Sequence, residues 1–405
     1  AWELFHRCTL GEAEVYLRDR AAKGFTVIQA VVLAECDGLN DPGHAGATPL
    51  LNNDPTTPNE AYFAHVDAIV KLANSLGLVI GMLPTWGDKW NNVWKNNSEI
   101  FTPENARIYG KFLGNRYKDA DLIWIMGGDR PVETDSQQAT LQQMVLGLHE
   151  GDGGVHMHTF HPNGGKGSSD YWEWDTNWID FHMWQTGHGR NKDNYNCIAA
   201  DYARTPAKPV LDAEPGYEDH PAGFNLDNGY LDDYDCRKSA YWSVFAGACG
   251  HTYGCHPIWQ MWLPGRLAHS WCRNTWHDAL HLPGSTQMQY VKKLLLSRPY
   301  FTRIPDQSLL VGEVGEQTKH LQATRDSEGT YAFIYSPGPL DFTVDLEKLS
   351  GETLNAWWYN PRTGLVQEAG TLSRSGQYKF STPKVGPDWI LVLDDASKGY
   401  GRPGV

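Results

Sequence analysis

The sequence predicts an α/β fold: a (β/α)8 TIM barrel followed by a small all-β sandwich domain. Over roughly the first 300 residues, short apolar runs alternate with helical patterns, which indicates a parallel sheet covered by helices. From about residue 299 the runs shorten and are separated by Gly, Pro and Asp turns, which is typical of a β-sandwich. We therefore expect a barrel domain over residues 1–299 and a sandwich domain over residues 300–405.

Local signals define the elements of the first domain. Thr9 can cap a helix over 9–23, with Glu12 as its capping-box partner and Gly24 as its end. Thr102, with Pro103 in the first turn, starts another helix. The remaining predicted helices are 59–76, 136–149, 193–204, 232–248 and 286–297. The predicted strands are 25–33, 78–83, 122–126, 155–160, 179–184, 209–215 and 251–255. An eighth strand has only the apolar segment 2–5 to supply it.

Two carboxylates directly follow buried strands. The stretch LIWIMGGD, from residue 122, is an apolar run closed by two glycines and Asp129. The stretch PVLDAEP, from residue 209, places Glu214 at the end of another buried run. Catalytic groups of parallel barrels lie at the carboxyl ends of the strands, and two carboxylates are the minimum for glycoside hydrolysis. Either residue alone could be a helix cap or an ion-pair partner, but both together predict a catalytic pair.

Other residues near the predicted strand ends are suited to sugar binding. Aromatic rings stack on sugar C–H surfaces, while His, Gln, Glu and Tyr can hydrogen-bond to hydroxyl groups. The predicted substrate contacts are Glu35, Trp86, His158, His161, Gln185, His188, Tyr217, Tyr253, His256 and Trp259. The alternative for Trp259 is ordinary packing, and the alternative for Glu35 is a structural role without substrate contact.

No cofactor or metal is predicted. The histidines of VHMHTFHP, with His182, lack HExxH or any other tight ligand spacing. The seven cysteines include no CxxC pair, so neither a zinc site nor a disulfide framework is expected. The Gly-rich segment 164–167 lacks the Lys-Ser/Thr of a phosphate loop, and no Ser lies in a GxSxG turn.

Composition restricts the possible partners. The formal net charge of -14 argues against nucleic acid and against an anionic membrane surface. No apolar run approaches the roughly 18 residues that cross a bilayer, so no membrane insertion is expected. The 17 Trp and 19 Tyr favour a polysaccharide or oligosaccharide substrate, although an aromatic-rich core would also account for them. We expect a monomer.

Several motifs, taken together, are specific to one family. They are AWELFHR, KGFTVIQAVVLAE, WIMGGDR, TFHP, WQTGH, LDAEPGYE, GACGHTYG with IWQMW, and NAWWYNPRTG. On these motifs nearly the whole chain resembles the apiosidase-like glycoside hydrolases (family 140), which carry a C-terminal β-domain of the collagen-binding type. Members usually have another strand ahead of the AWELF segment, where this sequence begins. The resemblance implies a retaining enzyme whose acid/base is Asp129 and whose nucleophile is Glu214.

The resemblance also implies a substrate and a location. The family's activity is release of apiose-linked side chains from the plant pectin rhamnogalacturonan II, so we expect a secreted, periplasmic or cell-surface enzyme, although the sequence shows no signal peptide. Two alternatives stay open: a barrel hydrolase acting on another glycan such as β-glucan or xylan, and a non-catalytic carbohydrate- or collagen-binding protein. Retention requires the two carboxyl groups to lie about 5–5.5 Å apart, whereas inversion requires about 6.5–9.5 Å.

The sandwich domain carries one further expectation. Trp357 and Trp358 are adjacent, so on a strand they point to opposite faces. We expect one to pack inward and the other outward, a rigid contact between the two domains, and no independent glycan binding.

Overall fold

The computed structural model describes residues 1–36, 38–94, 99–172 and 177–405. They form two units: Ala1–Gln185 with Gly254–Leu280, and Thr186–Tyr253 with His281–Val405. The helices are α1 Leu4–Arg7, α2 Leu10–Ala22, α3 Glu60–Ser75, α4 Pro103–Tyr117, α5 Asp135–Asp152, α6 Asn194–Tyr202, α7 Asp233–Phe245, α8 His256–Trp259, α9 Trp276–Ala279 and α10 Pro283–Leu296. The strands are β1 Val27–Leu33, β2 Val79–Thr85, β3 Leu122–Gly127, β4 His158–His161, β5 Lys166–Gly167, β6 His182–Gln185, β7 Val210–Asp212, β8 Arg303–Pro305, β9 Leu310–Val311, β10 Gln322–Asp326, β11 Tyr331–Ser336, β12 Asp341–Asp345, β13 Thr353–Tyr359, β14 Val366–Ser373, β15 Gln377–Ser381 and β16 Trp389–Asp395.

The first unit is built on a parallel sheet in which β1, β2, β3 and β4 pair in sequence order. The connecting helices begin where the capping residues predict. Thr9 and Glu12 form the expected capping box of α2, and Thr102 forms one with Asn105 at the start of α4. These side chains satisfy backbone N–H groups that have no partner inside a helix. Because β1 to β4 are parallel, their carboxyl ends lie at one edge of the sheet, and the candidate site residues follow these ends.

The beginning of the chain departs from the prediction. Leu4–Arg7 form the short helix α1, so the prediction of a strand over 2–5 is wrong for these residues. The ammonium group of Ala1 donates to the carbonyl of Gln29 (3.0 Å), and the N–H of Val31 donates to the carbonyl of Trp2 (3.1 Å). Ala1 and Trp2 therefore pair with β1 as strand residues would, whereas Leu4–Arg7 turn away into the helix.

Two further strand predictions need correction. β4 begins at His158 rather than at residue 155, because α5 extends to Asp152 and the exposed Val155 and Met157 precede the sheet. The segment 251–255 forms no strand, and only an isolated parallel bridge joins His251 to Asp212.

Helices α4 and α5 meet through glycine. A Cβ on Gly110 or Gly114 would overlap the carbonyl oxygen of Met144 or Leu148, and a Cβ on Gly147 would overlap that of Arg107. Gly151 lies just as close to the backbone of α4. The two helices therefore approach until their backbones touch, a spacing that even alanine would prevent.

The second unit contains the predicted sandwich. Its larger sheet has the order β14-β13-β16-β11-β10-β8, and the smaller has the order β15-β12-β9, with antiparallel pairing. A core of apolar side chains from both sheets lies between them. Trp358 belongs to this core, whereas Trp357 follows a bulge and points to the other face of β13. Among the described residues, no helix combines the length and apolar character that crossing a membrane requires.

Helix α7 packs on the outer face of the larger sheet. The guanidinium of Arg237 donates to both carboxylate oxygens of Asp388 (2.9 and 3.2 Å), and both residues are buried. Arg362 and Tyr335 also donate to this carboxylate. Further along α7, the indole N–H of Trp242 donates to the carbonyl of His320 (3.0 Å). A helix that the sequence assigns to the barrel is thus joined to the sandwich by buried polar contacts.

We expect Asp388→Ala to lower the free energy of unfolding by about 3–5 kcal/mol, because it removes the buried carboxylate that accepts from both Arg237 and Arg362 and leaves Arg237 only its second carboxylate partner, Asp233. Urea denaturation followed by tryptophan fluorescence measures the change. Asp341→Ala is the matched control, since Asp341 pairs with Lys379 at the surface (2.8 Å) and its loss should hardly alter stability. Equal effects of the two substitutions would contradict the role given to the buried pair.

Candidate active site

Asp129 follows β3 on an unusual backbone. Gly127, Gly128 and Asp129 all have positive φ angles, of 95°, 100° and 55°. A Cβ on Gly127 would overlap the carbonyl of His161, and the carbonyl of Gly128 accepts the N–H of Gly87 (2.9 Å). Glycine is therefore required at both positions, and Asp129 itself occupies a region that non-glycine residues rarely adopt. This turn brings the Asp129 carboxylate past the end of the strand, as predicted.

Arg130 lies between two carboxylates. Its Nη1 donates to the Asp129 carbonyl (2.7 Å) and lies 3.4 Å from Asp129 Oδ2, while its Nη2 lies 3.6 Å from Glu35 Oε1. The guanidinium carbon lies 3.5 Å from the centre of the Trp94 ring. Burial raises the pKa of Glu35 to about 7, although Arg130 acts in the opposite direction. Arg130 therefore connects Glu35 to Asp129, the predicted acid/base.

Three more predicted residues of the first unit lie at strand ends. Trp86 follows β2, His161 ends β4 and Gln185 ends β6. The ring of Trp86 lies 6.0 Å from that of His161, and Trp2 lies within 5.3 Å of both. Trp86 Nε1 and Gln185 Oε1 are buried and have no hydrogen-bond partner within the described parts of the chain. Buried polar atoms are usually satisfied, so a ligand's hydroxyl groups are natural partners for these two.

The structure places His158 away from those predicted residues that lie at the carboxyl ends of the strands. His158 begins β4, whereas the carboxyl end of this strand is at His161. Its ring packs on His149 of α5 (Nδ1 to Nε2, 3.3 Å), and burial lowers its pKa to about 4. Because the strand starts three residues later than expected, His158 occupies the end away from the predicted site and serves the packing of the helix.

His256 and Trp259 form a hydrogen-bonded pair that supports the loop containing His269 and Ser270. His256 Nε2 donates to the carbonyl oxygens of His269 (3.1 Å) and Ser270 (3.0 Å). With Nε2 protonated, His256 Nδ1 accepts the indole N–H of Trp259 (3.1 Å). These contacts favour the packing alternative for Trp259, and they commit both ring nitrogens of His256 to the protein.

In the second unit, Glu214 lies two residues beyond β7 and is 5 % exposed. His188 Nε2 lies 3.2 Å from Glu214 Oε1, and the Gly187 N–H donates to the Glu214 carbonyl (3.1 Å). The ring of Tyr217 lies 4.4 Å from that of His188. Three predicted residues are therefore adjacent here: Glu214, His188 and Tyr217. An imidazole N–H directed at one oxygen orients the carboxylate.

Asp212, two residues before Glu214, has a different environment. Its carboxylate accepts hydrogen bonds from the Thr186 hydroxyl (3.0 Å) and from the Asn194 amide (2.9 Å). Burial raises its pKa to about 6. With protein donors on its carboxylate, Asp212 fixes the end of β7 rather than facing a substrate.

Sequence reasoning missed Glu218. This residue is 3 % exposed, accepts the hydroxyl of Tyr253 and accepts the N–H of Gly284 (3.1 Å). Burial raises its pKa to about 7. Both donors lie more than thirty residues away in sequence, so no local pattern distinguishes Glu218 from Asp219 beside it. The contact also commits the Tyr253 hydroxyl, which was predicted to bind substrate.

Among the described residues, no group of three or more His, Cys, Asp or Glu side chains is arranged to hold a metal ion.

Solved structures similar to this chain are glycoside hydrolases. One titled "Glycoside hydrolase" has 34 % sequence identity and a TM-score of 0.86, covering 99 % of this chain and 92 % of its own. A second, titled a glycoside hydrolase family 5 from Bacteroides vulgatus, has 33 % identity and a TM-score of 0.86, covering 99 % and 89 %. They confirm the predicted fold class, a (β/α)8 barrel followed by an all-β domain, and the chain is a glycoside hydrolase.

Family models give a finer assignment. The model described as "Apiosidase-like, catalytic domain" matches residues 1–302, and that described as "Putative collagen-binding domain of a collagenase" matches residues 304–394. The chain belongs to the apiosidase-like family, as its motifs predicted. No curated protein matches it.

The raised pKa of Glu218 gives a pH-dependent stability. The pKa of Glu218 is about 7 in the folded protein and about 4.3 in the unfolded chain, so folding favours the neutral acid. The stability that this group contributes is fully present below pH 4 and is lost as pH rises through 7. Glu218→Gln cannot ionise. Between pH 5 and pH 8, we expect the native protein to lose about 2–3 kcal/mol more stability than this variant.

Urea denaturation at several pH values measures this difference. Glu368→Gln, at an exposed position, is the control and should follow the native pH profile. Parallel profiles for the native protein and Glu218→Gln would show that this carboxyl group titrates normally.

Proposed function

We propose that the protein is an apiosidase that releases apiose-linked side chains of rhamnogalacturonan II and acts outside the cytoplasm as a monomer. The observation that carries the proposal is the match of residues 1–302 to the apiosidase-like catalytic domain. The strand-end carboxylates and their surroundings support it. Apiose as the released sugar agrees with the family name, and the aromatic and polar groups at the strand ends suit sugar binding.

The proposed mechanism is a double displacement. Glu214 attacks the anomeric carbon while Asp129 protonates the leaving oxygen, which gives a glycosyl-enzyme intermediate. Asp129 then removes a proton from water, which attacks the same carbon and releases the sugar and Glu214. The His188 contact orients the Glu214 carboxylate, and Arg130 holds the backbone of Asp129. Each residue thus has a neighbour suited to its role.

Substrate recognition is assigned to groups that present a ring or an open polar atom. Trp86 and Gln185 offer a buried donor and a buried acceptor for hydroxyl groups. His161 and Tyr217 lie next to Trp86 and His188 respectively. Glu35 contributes through Arg130.

The catalytic assignment is tested by substitutions that keep side-chain shape. We expect Asp129→Asn and Glu214→Gln each to lower turnover by about 10³-fold or more, because they remove proton transfer and the nucleophile. Thermal unfolding should hardly change. Asp212→Ala is the structural comparison, since loss of its two hydrogen bonds should lower the unfolding temperature. Parallel losses of activity and stability in the first two variants would contradict their catalytic roles.

The stereochemistry of the reaction gives an independent test of the role of Glu214. Proton NMR of the first product should show the same anomeric configuration as the substrate. An inverted product would exclude a covalent glycosyl-enzyme on Glu214 and would assign the carboxylate to water activation.

The substrate assignment is tested by a panel of oligosaccharides. We expect turnover of apiose-linked galacturonide oligomers and none of β-glucan or xylan oligomers. Product analysis by chromatography should identify free apiose or an apiose-terminated fragment. Turnover of the neutral glycans alone would replace the apiosidase with another glycan hydrolase, and binding without turnover of any glycan would support a non-catalytic protein.

A further inference from the structure

We propose that Phe224 is a stacking platform for the sugar ring next to the one that Glu214 attacks. This proposal rests on the glycosidase mechanism above and adds a specificity-determining residue to it. Three features of the second unit support it: an aromatic cluster beside Glu214, a turn that presents Phe224, and a buried nitrogen of His188.

The cluster consists of His188, Tyr217, His220 and Phe224. The His188 and His220 rings stack at 4.2 Å, and the Phe224 ring lies edge-on to both, at 5.5 Å and 4.6 Å. Tyr217, His188 and His220 are at most 8 % exposed, whereas Phe224 is 55 % exposed. Phe224 is therefore the member of the cluster that a ligand can cover, and it contacts His188, whose Nε2 lies 3.2 Å from Glu214 Oε1.

The turn holds the ring in a fixed place. The Gly223 N–H donates to the His188 carbonyl (2.8 Å), the Ala222 N–H to that of Gly229 (2.9 Å), and the Phe224 N–H to that of Pro221 (3.0 Å). Gly223 and Phe224 both have positive φ angles, of 65° and 58°. This conformation is unfavourable for a bulky residue and would suit glycine or asparagine better. Core packing does not account for a large, half-exposed ring in this conformation, and backbone strain of this kind is typical of binding sites.

His188, whose ring centre lies 5.5 Å from that of Phe224, supplies a polar atom beside this ring. Its Nε2 contacts Glu214, and its Nδ1 is buried without a hydrogen-bond partner among the residues that the structure describes. With Nε2 donating to the carboxylate, Nδ1 is an acceptor for a hydroxyl group. A ligand that offers both a C–H surface to Phe224 and a hydroxyl to His188 is a sugar ring.

The test separates one sugar ring from two. Apiosyl fluoride carries only the ring that Glu214 attacks, whereas an apiose-linked galacturonide oligomer also carries its neighbour. For Phe224→Ala we expect kcat/KM on the oligomer to fall about three- to tenfold, through KM, with the fluoride unaffected. Phe224→Trp should keep most of the oligomer activity. Leu226→Ala, at an exposed apolar position on the same segment, should leave both substrates unchanged.

A stability measurement and a binding measurement complete the experiment. Phe224→Gly relieves the unfavourable backbone, so its unfolding temperature should equal or exceed that of the native protein while oligomer affinity falls. Calorimetric titration of the oligomer into Glu214→Gln, with and without Phe224→Ala, detects the platform even if no substrate is cleaved. In that case the proposed function fails, and Phe224 stands as a stacking platform for a bound sugar ring beside Glu214. Equal losses on both substrates, or unchanged oligomer binding in Phe224→Ala, would overturn the platform.

Discussion

The second unit depends on the buried ion pair between Arg237 and Asp388. Removing two charges from water is unfavourable unless every donor and acceptor finds a partner. The structure provides these partners, since Gln287 accepts from Arg237 while Tyr335 and Arg362 donate to Asp388. The pair fixes α7 on the sandwich, and Glu214 lies in this same unit. The sandwich is therefore part of the framework that carries the proposed nucleophile.

Burial alone does not distinguish a catalytic carboxyl group in this protein. It raises the pKa of Glu35, Asp212 and Glu218 alike, but their partners differ. Asp212 is held by Thr186 and Asn194, and Glu218 by a tyrosine hydroxyl and a backbone N–H. Asp212 and Glu218 are thus both held by neutral protein donors. Glu214 instead contacts the imidazole of His188, which orients one carboxylate oxygen and leaves the group otherwise suited to the proposed nucleophilic role.

The sequence predicts what local chemistry determines. Thr9 and Thr102 cap their helices as expected, because a capping box needs only residues three apart. The glycines before Asp129 likewise mark the strand end in the sequence. Partners that lie far apart along the chain were not predictable: Ala1 and Trp2 pair with β1 while the next residues turn into a helix, and Glu218 meets Tyr253 and Gly284 only after folding. His158 was misplaced because periodicity does not define where a strand begins.

The glycine contact between α4 and α5 affects how mutational data on this chain should be interpreted. Every substitution of Gly110, Gly114, Gly147 or Gly151 adds atoms where backbone already lies, since no residue is smaller than glycine. A deep mutational scan under selection for activity would therefore find these positions as intolerant as the proposed catalytic carboxylates. Intolerance to substitution at these four glycines would then suggest a second functional site on α4 and α5. The actual requirement there is that the two helix backbones approach closely. Scoring abundance and activity separately would remove the ambiguity, because variants at these glycines lose both.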